Sequence, residues 1–392
     1  MVPKGWDIRP LFEISKITSG GTPSREKPEY WENGMIPWVR TTEVQNCILN
    51  LEDVQEYISE LGLKNSSAKI VPAGTVLLAM IGQGKTRGQV ALLTFEATTN
   101  QNCAAIIFND DQEPAFYFNF LLSQYEKIRG MSNSAGQSNL SGALVKLITV
   151  PVPPLPEQRK IAKILSTWDK AIATTEKLIA TSQQQKKALM QQLLTGKKRL
   201  VNPETGKVFE GEWEHQRLAS LCTIKTGKKD VNEGNPEGNY PFFTCASEPT
   251  KSDNYSYDCE ALLIAGNGML GKTHYFNGKF EAYQRTYILS EFIGIDVPFL
   301  HQYILYWLMR DIDREKQHGA MPYIKLGLLQ NFKVLLPSIA EQQKIAAILS
   351  CADQEITALQ QKLDALKQEK KALMQQLLTG KRRVKVDENV AA

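Results

Sequence analysis

The segment Gly266-Asn267-Gly268-Met269-Leu270-Gly271-Lys272-Thr273 matches the pattern of a phosphate-binding P-loop letter for letter, and a strand-like run at 261–265 precedes it. In that chemistry backbone N–H groups cradle phosphates, the lysine reaches the terminal phosphates, and a helix opening directly after the loop turns its N-terminus to the anion. The residues that follow here, His274-Tyr275-Phe276-Asn277-Gly278-Lys279-Phe280, are aromatic and turn-rich and predict a hairpin instead. The corresponding place earlier in the chain, Ala79-Met80-Ile81-Gly82-Gln83-Gly84-Lys85-Thr86, lacks the first glycine of the pattern. The expectation is a loop that presents Lys272 and Thr273 to something other than ATP, with an ATP-dependent nucleotide-processing enzyme as the rival reading. Other catalytic chemistry has less support. His215, His274, His301 and His318 are scattered without an HExxH or His-carboxylate cluster, and Cys47, Cys103, Cys222, Cys245, Cys259 and Cys351 lack the close pairing of a zinc or redox site. These point to no metal and to buried free thiols. No Asn-Pro-Pro-aromatic methyltransferase motif and no Pro-Asp…Glu-x-Lys nuclease core occurs.

The turns do hold side chains suited to reading bases, since arginine or lysine suits guanine and asparagine or glutamine suits adenine. In the first half of the chain these are Arg25, Arg40, Gln83, Lys85, Thr86, Arg87 and Gln137, and in the second Lys228, Lys229, Asn267, Lys272, Thr273, Gln284 and Lys325. Taken singly, each is more simply a solvated surface residue; as a group near turns they are better candidates. The net charge of +4 is too small to announce a nucleic-acid binder, so its distribution matters more. Residues 157–199 hold ten Lys/Arg against three Asp/Glu, and residues 341–383 eight against five, leaving about −6 for the remainder. A DNA-binding remainder then needs a local basic face, with a partner supplying much of the phosphate grip.

Two elements must position these turns, and they are copies of one another. Residues 186–197, Lys-Lys-Ala-Leu-Met-Gln-Gln-Leu-Leu-Thr-Gly-Lys, recur unchanged at 370–381, an offset of 184. Counted without gaps from 157 to 199, 24 of 43 positions are identical at that offset, so one structural unit is used twice. In the second copy Ile345, Leu349, Ala352, Ile356, Leu359, Leu363, Leu366, Leu373 and Leu377 alternate spacings of four and three, with Lys370 at the one remaining seam position. That is a coiled-coil seam. The first copy keeps Ile161, Leu165, Trp168, Ile172, Ile179, Leu189 and Leu193 in phase, with Thr175, Ser182 and Lys186 weakening its middle. Gly196 and Gly380 stand where C′ glycines belong, and the basic residues after them suit the negative helix ends. Helices of this length run about 60 Å. Neither buries its seam alone, and the symmetrical spacing favours antiparallel pairing within the chain over a homodimeric coiled coil.

The segments between are related more weakly. Trp6, Ile17 and Gly20 correspond to Trp213, Ile224 and Gly227, Pro37-Trp38 to Pro241-Phe242, and Asn100-Gln101-Asn102 to Tyr283-Gln284-Arg285. Strand-like runs at 76–81, 104–108, 261–265 and 287–289, with helical stretches at 115–128 and 298–310, predict two mixed α/β domains. The predicted layout is a first domain over 1–155, a spacer helix over 156–199, a second domain over 200–338, a second spacer helix over 339–384 and a tail over 385–392. The N-terminal residues have no apolar signal region, and no run approaches the roughly 18 apolar residues of a membrane span, so a cytoplasmic protein is expected.

Ile17-Thr18-Ser19-Gly20-Gly21-Thr22-Pro23-Ser24, followed by Tyr30-Trp31 and Ile36-Pro37-Trp38-Val39-Arg40, resembles the opening of a target-recognition domain in the specificity subunits of Type I restriction-modification systems. Pro153-Pro154-Leu155-Pro156-Glu157-Gln158 and Pro337-Ser338-Ile339-Ala340-Glu341-Gln342 resemble that family's approach to its repeated helices, and the two Leu-Leu-Thr-Gly-Lys endings complete the pattern over essentially the whole chain. One departure is Thr226-Gly227-Lys228-Lys229 in place of Gly-Gly-Thr-Pro. The resemblance implies a non-catalytic subunit in which two target-recognition domains, related by a pseudo-two-fold axis, each read one half of a bipartite site in double-stranded DNA, while the antiparallel helices set the spacing. It also implies two methyltransferase subunits and further restriction/translocase subunits as partners. S-adenosylmethionine, ATP and magnesium are then expected on those partners and no cofactor on this chain. A purely structural coiled-coil adaptor is the second rival, and sequence-selective DNA binding separates it.

Overall fold

A strand buried on both faces must read as an unbroken apolar run, and Val76-Leu77-Leu78-Ala79 does. In the computed structural model, which describes residues 2–82, 84–134, 139–315 and 323–386, all four of these side chains are fully buried. The chain forms two compact units, residues 1–175 with 362–392, and residues 176–361. Both boundaries fall inside the long helices and not at their ends.

Unit 1 contains β1 (Asp7–Pro10), β2 (Ser15–Ser19), β3 (Ile36–Val39), β4 (Cys47–Leu49), β5 (Tyr57–Ile58), β6 (Val76–Ala79), β7 (Val90–Leu93), β8 (Thr98–Thr99), β9 (Cys103–Phe108) and β10 (Thr149–Val152). They form a sheet of order β2-β9-β6-β7-β4, a second of order β5-β3-β8, and the pair β1-β10 that joins the beginning and end of the domain. Unit 2 contains β11 (Glu214–Arg217), β12 (Thr223–Thr226), β13 (Tyr240–Phe243), β14 (Thr250–Ser252), β15 (Tyr257–Ala265), β16 (Thr273–Ala282), β17 (Thr286–Ser290) and β18 (Lys333–Leu336). Its sheet order is β12-β17-β15-β16-β13-β14, joined at its ends by β11-β18. The two domains share a plan: β16 runs continuously where unit 1 breaks the same path into β7 and β8, and β13 pairs parallel with it as β3 does with β8. The helical stretch expected at 115–128 is two helices, Pro114–Ser123 and Tyr125–Ser134, interrupted at Gln124, and that expected at 298–310 is one helix, Val297–Glu315.

The two long helices, Leu155–Leu193 and Ile339–Leu377, have 39 residues each. In unit 1 the start of the first meets the end of the second: Ile161 and Leu165 share a core with Leu377 and the partly buried Leu373. In unit 2 Leu193 and the partly buried Leu189 share one with Ile345 and Leu349. Pairing is therefore antiparallel in each unit. Ile179 and Leu363 are buried as well, and Trp168, Ile172, Ala352, Ile356, Leu359 and Leu366 are half-buried, so the period of the sequence marks the covered stripe. The polar seam positions find partners. Lys370 Nζ lies 2.5 Å from Asp169 in unit 1, and Lys186 Nζ 2.6 Å from Asp353 in unit 2. These are one ion pair written twice, because the offset of 184 carries Asp169 to Asp353 and Lys186 to Lys370. A polar pair at a single seam position fixes register.

The cysteines differ from expectation. Only Cys103 and Cys222 are buried, whereas Cys47, Cys245 and Cys259 are half-buried and Cys351 lies exposed on a helix. Burial pushes the Cys222 thiol up to about 12.

Among the described residues, the two histidines with a displaced pKa, His274 and His301, lie in unit 2, and the sequence of unit 1 has no histidine. Burial holds His301 and His274 below the usual imidazole range; Asp353 opposes this at His301, and Lys186 and His274 reinforce it. The unfolded chain, with its imidazoles near pKa 6.5, then binds more protons than the folded one as pH falls below about that value, so folding stability decreases. Unit 2 is expected to lose amide-exchange protection between pH 7 and 5.5. His301→Phe should flatten that decline, and an undiminished decline would exclude His301 as its source.

Candidate nucleic-acid interface

In unit 2 the turns that carry the candidate residues are fastened to one another through their backbones. Gly227 N–H donates to Thr286 O at 3.1 Å, Gln284 N–H to Lys229 O at 2.9 Å and Tyr283 N–H to Phe243 O at 3.0 Å. Gly266 N–H donates to Arg285 O at 2.9 Å, Met269 N–H to Cys245 O at 2.9 Å and Ile324 N–H to Gly266 O at 2.8 Å. Five segments distant in sequence thereby form one surface at one end of the sheet. Exposed Lys228, Lys272, Gln284, Arg285 and Lys325 stand on it, with half-buried Lys229 and Asn267. Next to Lys325 an open groove of 410 Å³ is lined by Asp311, Arg314 and Asn331.

Unit 1 repeats the scheme. Gly21 N–H donates to Thr99 O at 2.8 Å, Asn100 N–H to Val39 O at 3.1 Å, Met80 N–H to Asn102 O at 2.9 Å and Leu140 N–H to Met80 O at 2.9 Å. The glycines of the opening motif explain themselves here. A Cβ on Gly20 would lie 1.8 Å from Thr99 O, and one on Gly227 would lie 2.1 Å from Ala282 O, so both positions require glycine for backbone approach. On this surface lie exposed Lys85 and half-buried Thr86 and Arg87.

The remaining candidates are placed differently. Arg25 lies across the Trp31 ring at 3.6 Å and pairs with Glu56. Arg40 is engaged by Glu43, Gln55 and Glu56 at 3.2, 2.8 and 2.7 Å, so its guanidinium organises β3 and its neighbours and is not free for a base. Thr273 is a correction: it is 5% exposed and its hydroxyl donates to Gly271 O, because it opens β16 facing inward. Lys229 is tied to Glu233 at 2.8 Å, and Gln284 donates to Asp230 at 3.3 Å. Gln83 and Gln137 lie outside the described residues. Sequence reading missed Arg285, Gln101 and Arg314. The likeness of residues 100–102 to 283–285 was the available signal for the first two.

The P-loop pattern is accounted for without nucleotide. Residues 266–272 join β15 to β16, and the residues after Thr273 are strand, so no helix opens directly after the loop. Its glycines serve packing: a Cβ on Gly266 would meet Arg285 O at 2.4 Å, and Gly268 has φ +58°. Among the described residues no group of three His, Cys, Asp or Glu can hold a metal, and no helix is long and apolar enough to cross a membrane. The purified chain is expected to show no saturable ATP binding. Lys272→Ala should weaken DNA binding by about 1–3 kcal/mol, selectively at one base if it reads an edge and uniformly if it touches phosphate. An ATP isotherm abolished by Lys272→Ala would reverse this assignment.

The profile of the Type I restriction modification DNA specificity domain matches residues 3–182 and 210–368. The specificity subunit of the Type I restriction enzyme MjaIX of Methanocaldococcus jannaschii is 24% identical over 421 aligned positions, covering 98% of this chain and 95% of its own. That of the Escherichia coli enzyme EcoDI is 36% identical over 172 residues, covering 43% of this chain and 37% of its own. Among solved structures, the S subunit of a Type I system from M. genitalium superposes with a TM-score of 0.66 at 18% identity over 96% of each chain. With the matched segments spanning both domains and most of both helices, this chain belongs to the Type I restriction-modification DNA specificity family.

Proposed function

We propose that the chain is the DNA-reading, non-catalytic subunit of a Type I restriction-modification complex in the cytoplasm. Each domain's loop surface reads one half of a bipartite double-stranded site, and the paired helices set the distance between the halves. Half-sites about one helical turn apart lie on one face of the duplex, within reach of two domains carried by one chain. The observation that carries this reading is the recurrence of one backbone-fastened loop surface in both units with different side chains on it. Two methyltransferase subunits dock on the helices, restriction/translocase subunits join for cleavage, and S-adenosylmethionine, ATP and magnesium belong to those partners.

The charge distribution bears on the division of labour. The repeated helical segments hold about +10 and the rest about −6, so the free chain is expected to bind DNA weakly and the methyltransferase subunits to supply many phosphate contacts. Affinity of the assembled complex should then fall more steeply with salt than that of the free chain. Selection from a randomised duplex library with the assembled complex should yield one bipartite motif. A free chain with full affinity and the same salt slope would remove the phosphate-sharing role of the partners, and absence of any enriched motif would remove the reading itself.

A further inference from the structure

The turns at 100–102 and 283–285 correspond residue by residue. Each follows a strand end paired in parallel, β8 on β3 and β16 on β13. The first residue of the turn donates to the partner strand, Asn100 to Val39 O at 3.1 Å and Tyr283 to Phe243 O at 3.0 Å. The next strand opens with a bond back to that residue, Cys103 to Asn100 O at 3.2 Å and Thr286 to Tyr283 O at 2.7 Å. The third residue accepts from the end of the central strand, Asn102 O from Met80 and Arg285 O from Gly266, both at 2.9 Å. Three matched bonds leave no freedom in the alignment. Gln101 matches Gln284, and Asn102 matches Arg285.

We infer that Asn102 and Arg285 are equivalent base-reading positions of the two domains, Asn102 addressing an adenine and Arg285 a guanine. The inference rests on the DNA-reading function proposed above. At both positions the main chain is held by the bonds just described, and at Arg285 also by Cys245 Sγ at 3.4 Å to its carbonyl. The side chains, by contrast, have no partner among the described residues; Arg285 is exposed and Asn102 half-buried. A fixed backbone with an open side chain is the preorganisation that base readout needs. The two chemistries then differ as the bases do: a guanidinium fork matches guanine O6 and N7, and a carboxamide matches adenine N7 and N6. Exposed Lys228, Lys272 and Lys325 stand on the same loop surface and can supply phosphate contacts. One position in one fold thus gives the two half-sites different bases.

The experiment is duplex-library selection with the chain assembled with its methyltransferase subunits, comparing wild type, Arg285→Asn, Arg285→Lys and Asn102→Ala. Arg285→Asn should lower preference for guanine at a single position of the second half-site by about ten-fold or more and raise adenine there, with the first half-site unchanged as an internal check on folding. Arg285→Lys should keep the salt slope and only part of the guanine preference, because the charge and its donors stay while the rigid fork goes. Asn102→Ala should relax one adenine position in the first half-site only. Full guanine preference in Arg285→Asn, or a uniform loss of affinity there without change of motif, would overturn the inference while leaving the proposed function standing. A wild-type complex that enriches no motif would remove both.

Discussion

Replacing residues 1–150 with the corresponding domain of a relative that has another target should change one half of the recognised sequence completely and leave the other half and the spacing intact. Three structural features lead to this expectation. The β1-β10 pair joins the beginning and end of the first domain within unit 1, and β11-β18 does so in unit 2, so each domain closes on itself before its chain enters a helix. Each loop surface is built from the bonds of its own domain. The helix segments that a swap leaves in place keep their seam and their Lys370–Asp169 and Lys186–Asp353 pairs. Discrimination against each wrong base pair costs about 1–3 kcal/mol, so several lost positions abolish the old half-site. Sequencing of methylated motifs in a host carrying the swapped chain gives the readout. A swap that altered both halves, or the spacing, would show that recognition is shared between domains.

The second large effect is expected at a clamp the chain makes twice. Arg199 grips Glu341 through Nε at 2.9 Å and Nη2 at 2.7 Å, with Nη1 on Gly211 O at 2.8 Å, and lies 5.7 Å over the Trp213 ring. Arg383 grips Glu157 through Nε at 2.8 Å and through Nη2, with Nη1 on Lys4 O at 2.9 Å, and lies 5.9 Å over Trp6. The hydrogen bonds to the carboxylates raise both arginine pKa values above their ordinary range. Glu341 has no exposed surface, so Arg199→Ala strands a buried carboxylate, at a cost of about 3–5 kcal/mol to unit 2. Arg383 is 42% exposed on its side chain and Trp6 Nε1 also donates to Glu157 at 3.3 Å, so Arg383→Ala should cost less, about 1–3 kcal/mol. Replacing both partners, Arg199→Met with Glu341→Leu, should recover most of the loss, since an apolar pair leaves no orphaned charge. Denaturant unfolding with segment-resolved hydrogen exchange measures all three. A loss below 1 kcal/mol in Arg199→Ala would mean that water reaches Glu341 and the clamp is decorative.

The sequence by itself determined the repeat, the helical period, the strand positions of the apolar runs and the family. Each is written in local spacing: threes and fours along the seam, unbroken apolar residues where a strand is covered on both faces, and glycine where a helix ends with φ +69° at Gly196 and +72° at Gly380. It also marked the hairpin around Thr273, from the aromatic, turn-rich residues that follow, where β15 and β16 pair. Tertiary structure alone decided which polar side chains are free. Arg25, Arg40 and Thr273 have the composition of base readers, yet acids, tryptophan rings and the interior occupy them. Those neighbours are as much as 31 residues away in sequence, as Glu56 is from Arg25, and no spacing rule reports them. The basic residues after the helix glycines show the same limit. They suit their own helix ends, but Arg199 and Arg383 reach instead to carboxylates 142 and 226 residues away. A side chain's type fixes what it can bind, and only the fold fixes whether another part of the chain has already bound it.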